Sequence, residues 1–116
     1  MLKRYYRLSK EKDIKLITKQ GRNFFTPYFV VKFLTKTNPS PRFVVIVSTK
    51  VSKKAVRRNR LKRIVRETLR THITEFVPGD YAIVMRPASE KLDNQTLVKS
   101  LIELLIKVKL LTPKKV

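Results

Sequence analysis

The period of the apolar positions changes several times along the chain, and each change marks an element. Tyr28–Thr35 alternates, with Phe29, Val31 and Phe33 on one side and Tyr28, Val30, Lys32 and Leu34 on the other, the period-two pattern of a strand. Asn38-Pro39-Ser40-Pro41 breaks the chain, and Arg42–Ser48 resumes as an apolar, β-branched run expected to be buried on both faces. An antiparallel hairpin with a long loop is the simplest pairing of the two. Phe24, Phe25 and Pro27 are compatible with a separate short strand. Between about Ser52 and Phe76 the spacing becomes three and four, through Leu61, Ile64, Val65, Thr68, Leu69, His72 and Phe76. Lys62, Arg66, Arg70, Asn59, Arg63 and Arg60 fill the opposite arc, so one helix face enters a core and the other is a cationic rail. Arg57 and Arg58 project by angle towards the apolar side, which places them in the first turns, overhanging the sheet.

Ahead of these elements, Ser9 is a candidate cap for a first helix through Gln20, with Ile14 and Ile17 inward and Gly21 as its stop. Behind them, Pro78-Gly79-Asp80 makes a turn, Tyr81–Arg86 reads as a third main strand, and Pro87-Ala88-Ser89 ends it. A last helix starts near Asp93 or Asn94, with Leu97, Leu101, Leu104, Leu105 and Val108 inward and Lys99, Glu103 and Lys107 outward. The order α-β-β-α-β-α predicts an α+β two-layer sandwich, helices packed on one sheet. At 116 residues a single domain over 1–116 is expected.

Charge changes this picture from a generic fold to a polyanion partner. The chain holds 28 Lys and Arg against 8 Asp and Glu, a formal charge of +20. Lys50 to Arg70 alone contributes ten bases and one acid, and the first 22 residues eight bases and two acids. A hydrophobic share of 42% excludes a disordered basic tail, so the cations belong on the surface of a folded unit. Such a surface repels itself, and a bound polyanion relieves that repulsion. With no Cys, a disulfide framework, a thiol nucleophile and thiolate-bound zinc are excluded. Met1 to Arg7 shows no apolar stretch behind its charges, and runs such as Val44–Val47 and Leu104–Ile106 fall far below the ~20 residues of a membrane span. A soluble, cytoplasmic protein without a membrane or small-molecule partner is expected.

Catalytic chemistry is thinly provided. His72, the one histidine, lies on the apolar arc of the long helix, where a satisfied core or helix-end histidine is the ordinary reading. The eight acids are scattered, and with Gly21 and Gly79 as its only glycines the chain lacks a phosphate-cradling loop. No catalytic residue or protein-held metal is expected. Phe29, Phe33, Phe43 and Phe76 sit at core spacing, whereas Tyr5, Tyr6, Phe24, Phe25 and Tyr28 are open, since rings beside Lys and Arg also form stacking platforms for single strands.

The densest motif is Lys53-Lys54-Ala55-Val56-Arg57-Arg58-Asn59-Arg60-Leu61-Lys62-Arg63-Ile64-Val65-Arg66-Glu67. Guanidinium forks bind phosphate oxygens bidentately, and a helix presents several at fixed spacing. A solvated face normally mixes signs, whereas Lys62, Arg66 and Arg70 form a like-charge ladder that destabilises an isolated helix. At these residues the chain resembles the bacterial ribonuclease P protein subunit family, whose basic helix reads Arg-Asn-Arg-x-Lys-Arg-x-x-Arg-Glu. Arg58 to Glu67 matches it at every specified position. The resemblance extends to Arg7-Leu8, Gly21, Ser48-x-Lys50 and Asp80-Tyr81 through Pro87-Ala88.

The resemblance implies a subunit that assists a catalytic RNA in removing the 5′ leader of precursor tRNA, inactive on its own. It assigns Arg58, Asn59, Arg60, Lys62, Arg63 and Arg66 to the ribonuclease P RNA, with Lys50, Lys53, Lys54 and Arg57 extending the patch. It assigns Ile14 and Thr18 of the first helix and Val30, Lys32 and Arg86 of the sheet to a cleft for the single-stranded leader. It also implies Mg²⁺ held mainly by the RNA, and a left-handed crossover through the basic helix, against the ~98% preference for right-handed ones. The chain departs from the family where Phe is common and it has Ile14 and Thr18, where an aromatic is frequent and it has Lys32, and where Ser-Lys-Lys is Ser48-Thr49-Lys50. The family's strand glycine is replaced by Val44 or Val45. These departures imply a weaker, more electrostatic grip on the leader. The competing readings are a ribosomal or ribosome-assembly protein, of the same size and charge, and a stand-alone nuclease, which the missing acid-base set disfavours. Charge reversal at Arg60, Lys62 and Arg66 is expected to abolish RNA binding without unfolding the chain.

Overall fold

The computed structural model describes residues 2–35 and 40–112. The predicted break at Asn38-Pro39 and the Lys114-Lys115 pair lie outside them. The elements are α1 (Glu11–Gln20), β1 (Arg22–Phe25), β2 (Phe29–Leu34), β3 (Arg42–Ile46), α2 (Ala55–Thr71), β4 (Asp80–Met85) and α3 (Asn94–Lys107). Short 3₁₀ turns cover Arg4–Tyr6, Ile73–Glu75 and Pro87–Lys91. The order is the expected one, with the short strand at Phe24-Phe25 realised as β1.

The pairing of the strands differs from the sequence expectation. The sheet runs β1-β2-β4-β3, so β2 and β3 do not form a hairpin. β2 pairs antiparallel with β1 and with β4, while β3 lies parallel to β4 and is joined to it through α2. β4 is apolar on both sides and takes the central place; β3, with one buried face, takes the edge. Phe43 and Val45 of β3 are buried, whereas Arg42, Val44 and Ile46 are half-exposed, so its burial on both faces is corrected to one.

The strand register sorts side chains into two faces. Phe29, Val31, Phe33, Phe43, Val45, Tyr81, Ile83 and Met85 point into the main core, where α2 supplies Leu61, Val65 and Leu69 and α3 supplies Leu97, Leu101 and Leu105. At its centre the rings of Phe33, Phe43 and Phe76 lie 4.8, 4.9 and 5.5 Å from that of Tyr81. The Tyr81 hydroxyl donates to the Val77 carbonyl at 2.5 Å, and burial pushes its pKa well above the usual tyrosine value. On the other face one rung reads Phe25, Val30, Val84, Ile46 and the next Asn23, Lys32, Ala82, Val44. α1 packs on this second face through Ile17 and Ile14, against Leu8, Ala82, Leu34 and Val44. The sheet therefore carries helices on both sides, with α1 covering only one end of its face.

Local chemistry explains the element ends. Leu8 is buried and its N–H donates to the Phe43 carbonyl at 2.7 Å, which holds residues 7–9 extended along β3. α1 accordingly begins at Glu11 after Lys10, and Ser9 is not its cap. Gly21 follows α1 in extended backbone; a Cβ there would stand 2.4 Å from the Ile17 carbonyl oxygen, so the glycine is required by close approach. Gly79 is different, with φ +152° and the Phe33 ring 2.5 Å from where a Cβ would sit. α2 stops at Thr71 and not at Phe76: the Thr68 and Thr71 hydroxyls donate back to Ile64 and Glu67 carbonyls, and β-branched Ile73 and Thr74 follow in the 3₁₀ turn. α3 starts where expected, at Asn94, and Asp93 caps it, its carboxylate accepting from the Thr96 N–H at 3.1 Å.

Candidate nucleic-acid interface

α2 presents its cations on the side away from the core, because Leu61, Val65, Thr68 and Leu69 fix its rotation against the sheet. Its first turn carries Arg57 and Arg58 and no acid, and Lys54 at the cap position makes no side-chain capping bond. The positive end of the helix dipole and the Lys53-Lys54-Arg57-Arg58 charges therefore add at one place. Ahead of it, Ser48 and Ser52 hydroxyls accept from the Lys50 and Lys54 N–H groups at 3.3 and 3.2 Å, shaping a loop on which Lys50, Lys53 and Lys54 are exposed.

The arginines of this helix divide into two groups. Arg57 does not turn inward but pairs on the surface with Glu90 at 2.5 Å, and Arg58 donates to the Ser52 carbonyl at 2.9 Å, bracing the preceding loop. Arg60 is half-buried and donates to the Leu92 carbonyl and to Asn94 Oδ1, both at 3.0 Å, so it ties α2 to the start of α3 and does not point outward. Asn59, Arg63 and Arg66 are exposed and Lys62 is half-exposed. These four line a groove of roughly 460 Å³ together with Glu67, Leu2 and Arg7. Arg7, whose Nε donates to the Leu2 carbonyl at 2.9 Å, joins the cationic face from the N-terminal segment. Sequence periodicity has no means of finding it, since the contact lies between distant parts of the chain. Glu67 pairs with Arg70, and that hydrogen bond holds its carboxyl below the usual carboxylate range.

The second candidate site lies between α1 and the sheet. Ile14 is half-buried under α1, and Thr18 is exposed with its hydroxyl returned to the Ile14 carbonyl at 3.1 Å. Val30 and Lys32 are half-exposed on neighbouring rungs of the same sheet face, and Arg86 follows β4 with Nη1 3.3 Å from the Thr26 carbonyl. Val30 and Lys32 thus share the sheet face on which Ile14 packs, with Thr18 on the exposed side of α1 and Arg86 at the β1–β2 turn. α1 is held over this face by an ion triad: Arg42 donates to both oxygens of fully buried Asp80 at 2.9 Å, and Asp13 of α1 stands 3.7 Å from Arg42. The Asp80 hydrogen bond raises the Arg42 pKa further above its ordinary value, so this cation is permanent.

His72 sits at the C-terminal end of α2 with Nδ1 2.8 Å from Glu75, a helix-end role. Among the described residues no three Asp, Glu or His side chains converge to hold a metal. The described residues therefore do not fit a protein cage for Mg²⁺. Likewise, no helix among them is long and apolar enough to cross a membrane. Of the open aromatics, Tyr6, Phe24 and Tyr28 pack against the core, while Tyr5 and Phe25 stay 58% and 68% exposed.

A mixed sheet with helices on both faces, one of them a cationic rail, defines a basic α+β protein that presents a surface suited to a polyanion. The model of the ribonuclease P family matches residues 2–109. The ribonuclease P protein component of Streptococcus agalactiae is 35% identical over 104 residues, covering 90% of this chain and 94% of the relative. The solved RNase P protein of Staphylococcus aureus superposes with a TM-score of 0.86 at 27% identity, covering 92% of this chain and 98% of that one. That of Thermotoga maritima gives 0.79 at 33% identity, over 87% and 96%. The chain belongs to the ribonuclease P protein family. It is a protein component of the ribonucleoprotein endoribonuclease that matures tRNA 5′ ends.

Proposed function

We propose that the outward face of α2 and the loop before it bind the catalytic ribonuclease P RNA, and that the α1–sheet cleft holds the 5′ leader of precursor tRNA. The observation that carries this reading is the crowding of Lys50, Lys53, Lys54, Lys62, Arg63 and Arg66 around one rigid helix whose inner face is locked into the core. Each cation placed on a phosphate releases condensed counterions, so the protein offsets the repulsion between two closely packed RNAs. Asn59 adds an amide to the same face. Arg58 and Arg60 serve the interface by bracing the helix, and Arg57 contributes at its exposed end.

In the cleft, Lys32 and Arg86 supply charge beside Val30 and Ile14, which suits a single strand held by its backbone and by apolar contact with its bases. Mg²⁺ in this reading acts at RNA phosphates, with the protein aiding indirectly by lowering the local negative potential. The test is cleavage of a 5′-labelled precursor tRNA at low Mg²⁺ by protein alone, a bacterial ribonuclease P RNA alone, and the two together. Leader removal restored only in the mixture supports the assignment. Tight RNA binding without enhancement, across RNAs of more than one bacterial architecture, overturns the assignment of these two surfaces.

A further inference from the structure

Phe25 stands out among the large apolar side chains, 68% exposed on a strand whose cross-strand partner on the same face is Val30. Its rung continues through Val84 to Ile46, each half-exposed, so an apolar row crosses all four strands where α1 does not reach. The strand end that carries it is held in place. Thr26 closes the β1–β2 turn by accepting from the Tyr28 and Phe29 N–H groups at 3.2 and 3.0 Å, while its own N–H donates to the Phe29 carbonyl at 3.0 Å. Arg86 is fastened to the same turn, its N–H on the Tyr28 carbonyl at 2.8 Å and its guanidinium reaching the Thr26 carbonyl. An exposed ring on a rigid edge strand thus stands one residue from a carbonyl that holds a guanidinium.

We propose that Phe25 is a base-stacking residue, extending the leader track across the sheet from the α1 cleft to the β1 edge. The assignment rests on the cleft reading above. Charge favours a nucleic-acid occupant over a protein surface: the four strands carry one acid, Asp80, at the far end and bonded to Arg42, whereas Lys32 lies on this face of β2 and Arg86 just after β4. Stacking on a ring accepts any base and needs no hydrogen-bond code, so the contact selects single-stranded character and not sequence.

The test uses the full chain reconstituted with a bacterial ribonuclease P RNA, comparing its affinity for precursor tRNA bearing a single-stranded leader with that for the leaderless tRNA. Phe25→Ala is expected to lower the ratio of the two affinities roughly tenfold, and Phe25→Trp to retain it. Because the chain contains no Trp, the emission of Phe25→Trp reports this position alone and is expected to be quenched when the leader binds. A Phe25→Ala ratio equal to that of the wild type, in a holoenzyme that does prefer the leader, overturns the stacking assignment. Tryptophan emission indifferent to a saturating leader overturns it equally. A wild-type holoenzyme with no preference for the leader would instead remove the cleft reading on which the proposal stands.

Discussion

At the scale of single residues, the ends of the elements are set by a few side chains with one role each. Asp93 is the clearest, because its carboxylate accepts from Thr96 and the bond is strongest when the group is ionised. That bond lowers its pKa below the usual 3.8. A group depressed in the folded state stabilises above its unfolded value and loses that contribution as the pH falls through the folded one. Asp93→Asn keeps an acceptor without a charge, so the wild type should melt above it at pH 7. The gap should narrow as the pH drops below about 3.8. Thermal melts of the two proteins from pH 7 to pH 2.5, followed by circular dichroism, check this, and a constant gap would contradict the cap. The helix start near Asp93 or Asn94 was legible in the sequence, and the structure makes Asp93 the cap. Ser9 misled because the bond that moves the helix start comes from Phe43, far along the chain.

At the scale of elements, α2 shows how an amphipathic pattern resolves faces but not partners. The inward set Leu61, Val65, Thr68 and Leu69 follows from spacing alone. That Arg60 is bonded across to Leu92 and Asn94 does not, since periodicity puts it on the same arc as Lys62 and Arg66. Combined charge reversal of Arg60, Lys62 and Arg66 therefore mixes two effects. Lys62→Glu with Arg66→Glu should leave the melting temperature nearly unchanged while weakening RNA binding and reducing its salt slope by roughly 1 per cation lost. Arg60→Ala should instead cost about 1 kcal/mol of stability through its two lost hydrogen bonds. Denaturation melts alongside RNA titrations at several salt concentrations separate the two. The cleft residues Ile14, Thr18, Val30, Lys32 and Arg86 were placed by resemblance, and the register puts the sheet members on one face. Phe25 joins them only once β1 is seen to pair with β2 in that register.

At the scale of the whole molecule, a formal charge of +20 on 116 residues makes the folded state work against its own field. A polyanion that binds the native surface should raise the melting temperature with concentration, by the linkage relation for a ligand of the folded state. If the α2 groove is shaped for RNA phosphates as proposed, ribonuclease P RNA should do so at lower concentration than heparin, which offers only charge; differential scanning fluorimetry with both titrants measures this. Composition made this visible before any coordinates. The strand order was not visible, for an apolar run such as Arg42–Ser48 records that it is buried but not beside whom.

That strand order also dictates when the protein can come into being during synthesis. Among the described strands β4 alone touches both β2 and β3, Val31 waiting for Ile83 on one side and Val45 for the same residue on the other. Until residues 80–85 leave the ribosome, the sheet is limited to its β1–β2 hairpin, for β3 has only the extended residues 7–9 beside it. Contacts this distant in sequence close slowly. Residues 50–70, the most cationic stretch of the chain, are thus translated and exposed to surrounding RNA before the core that orients them exists.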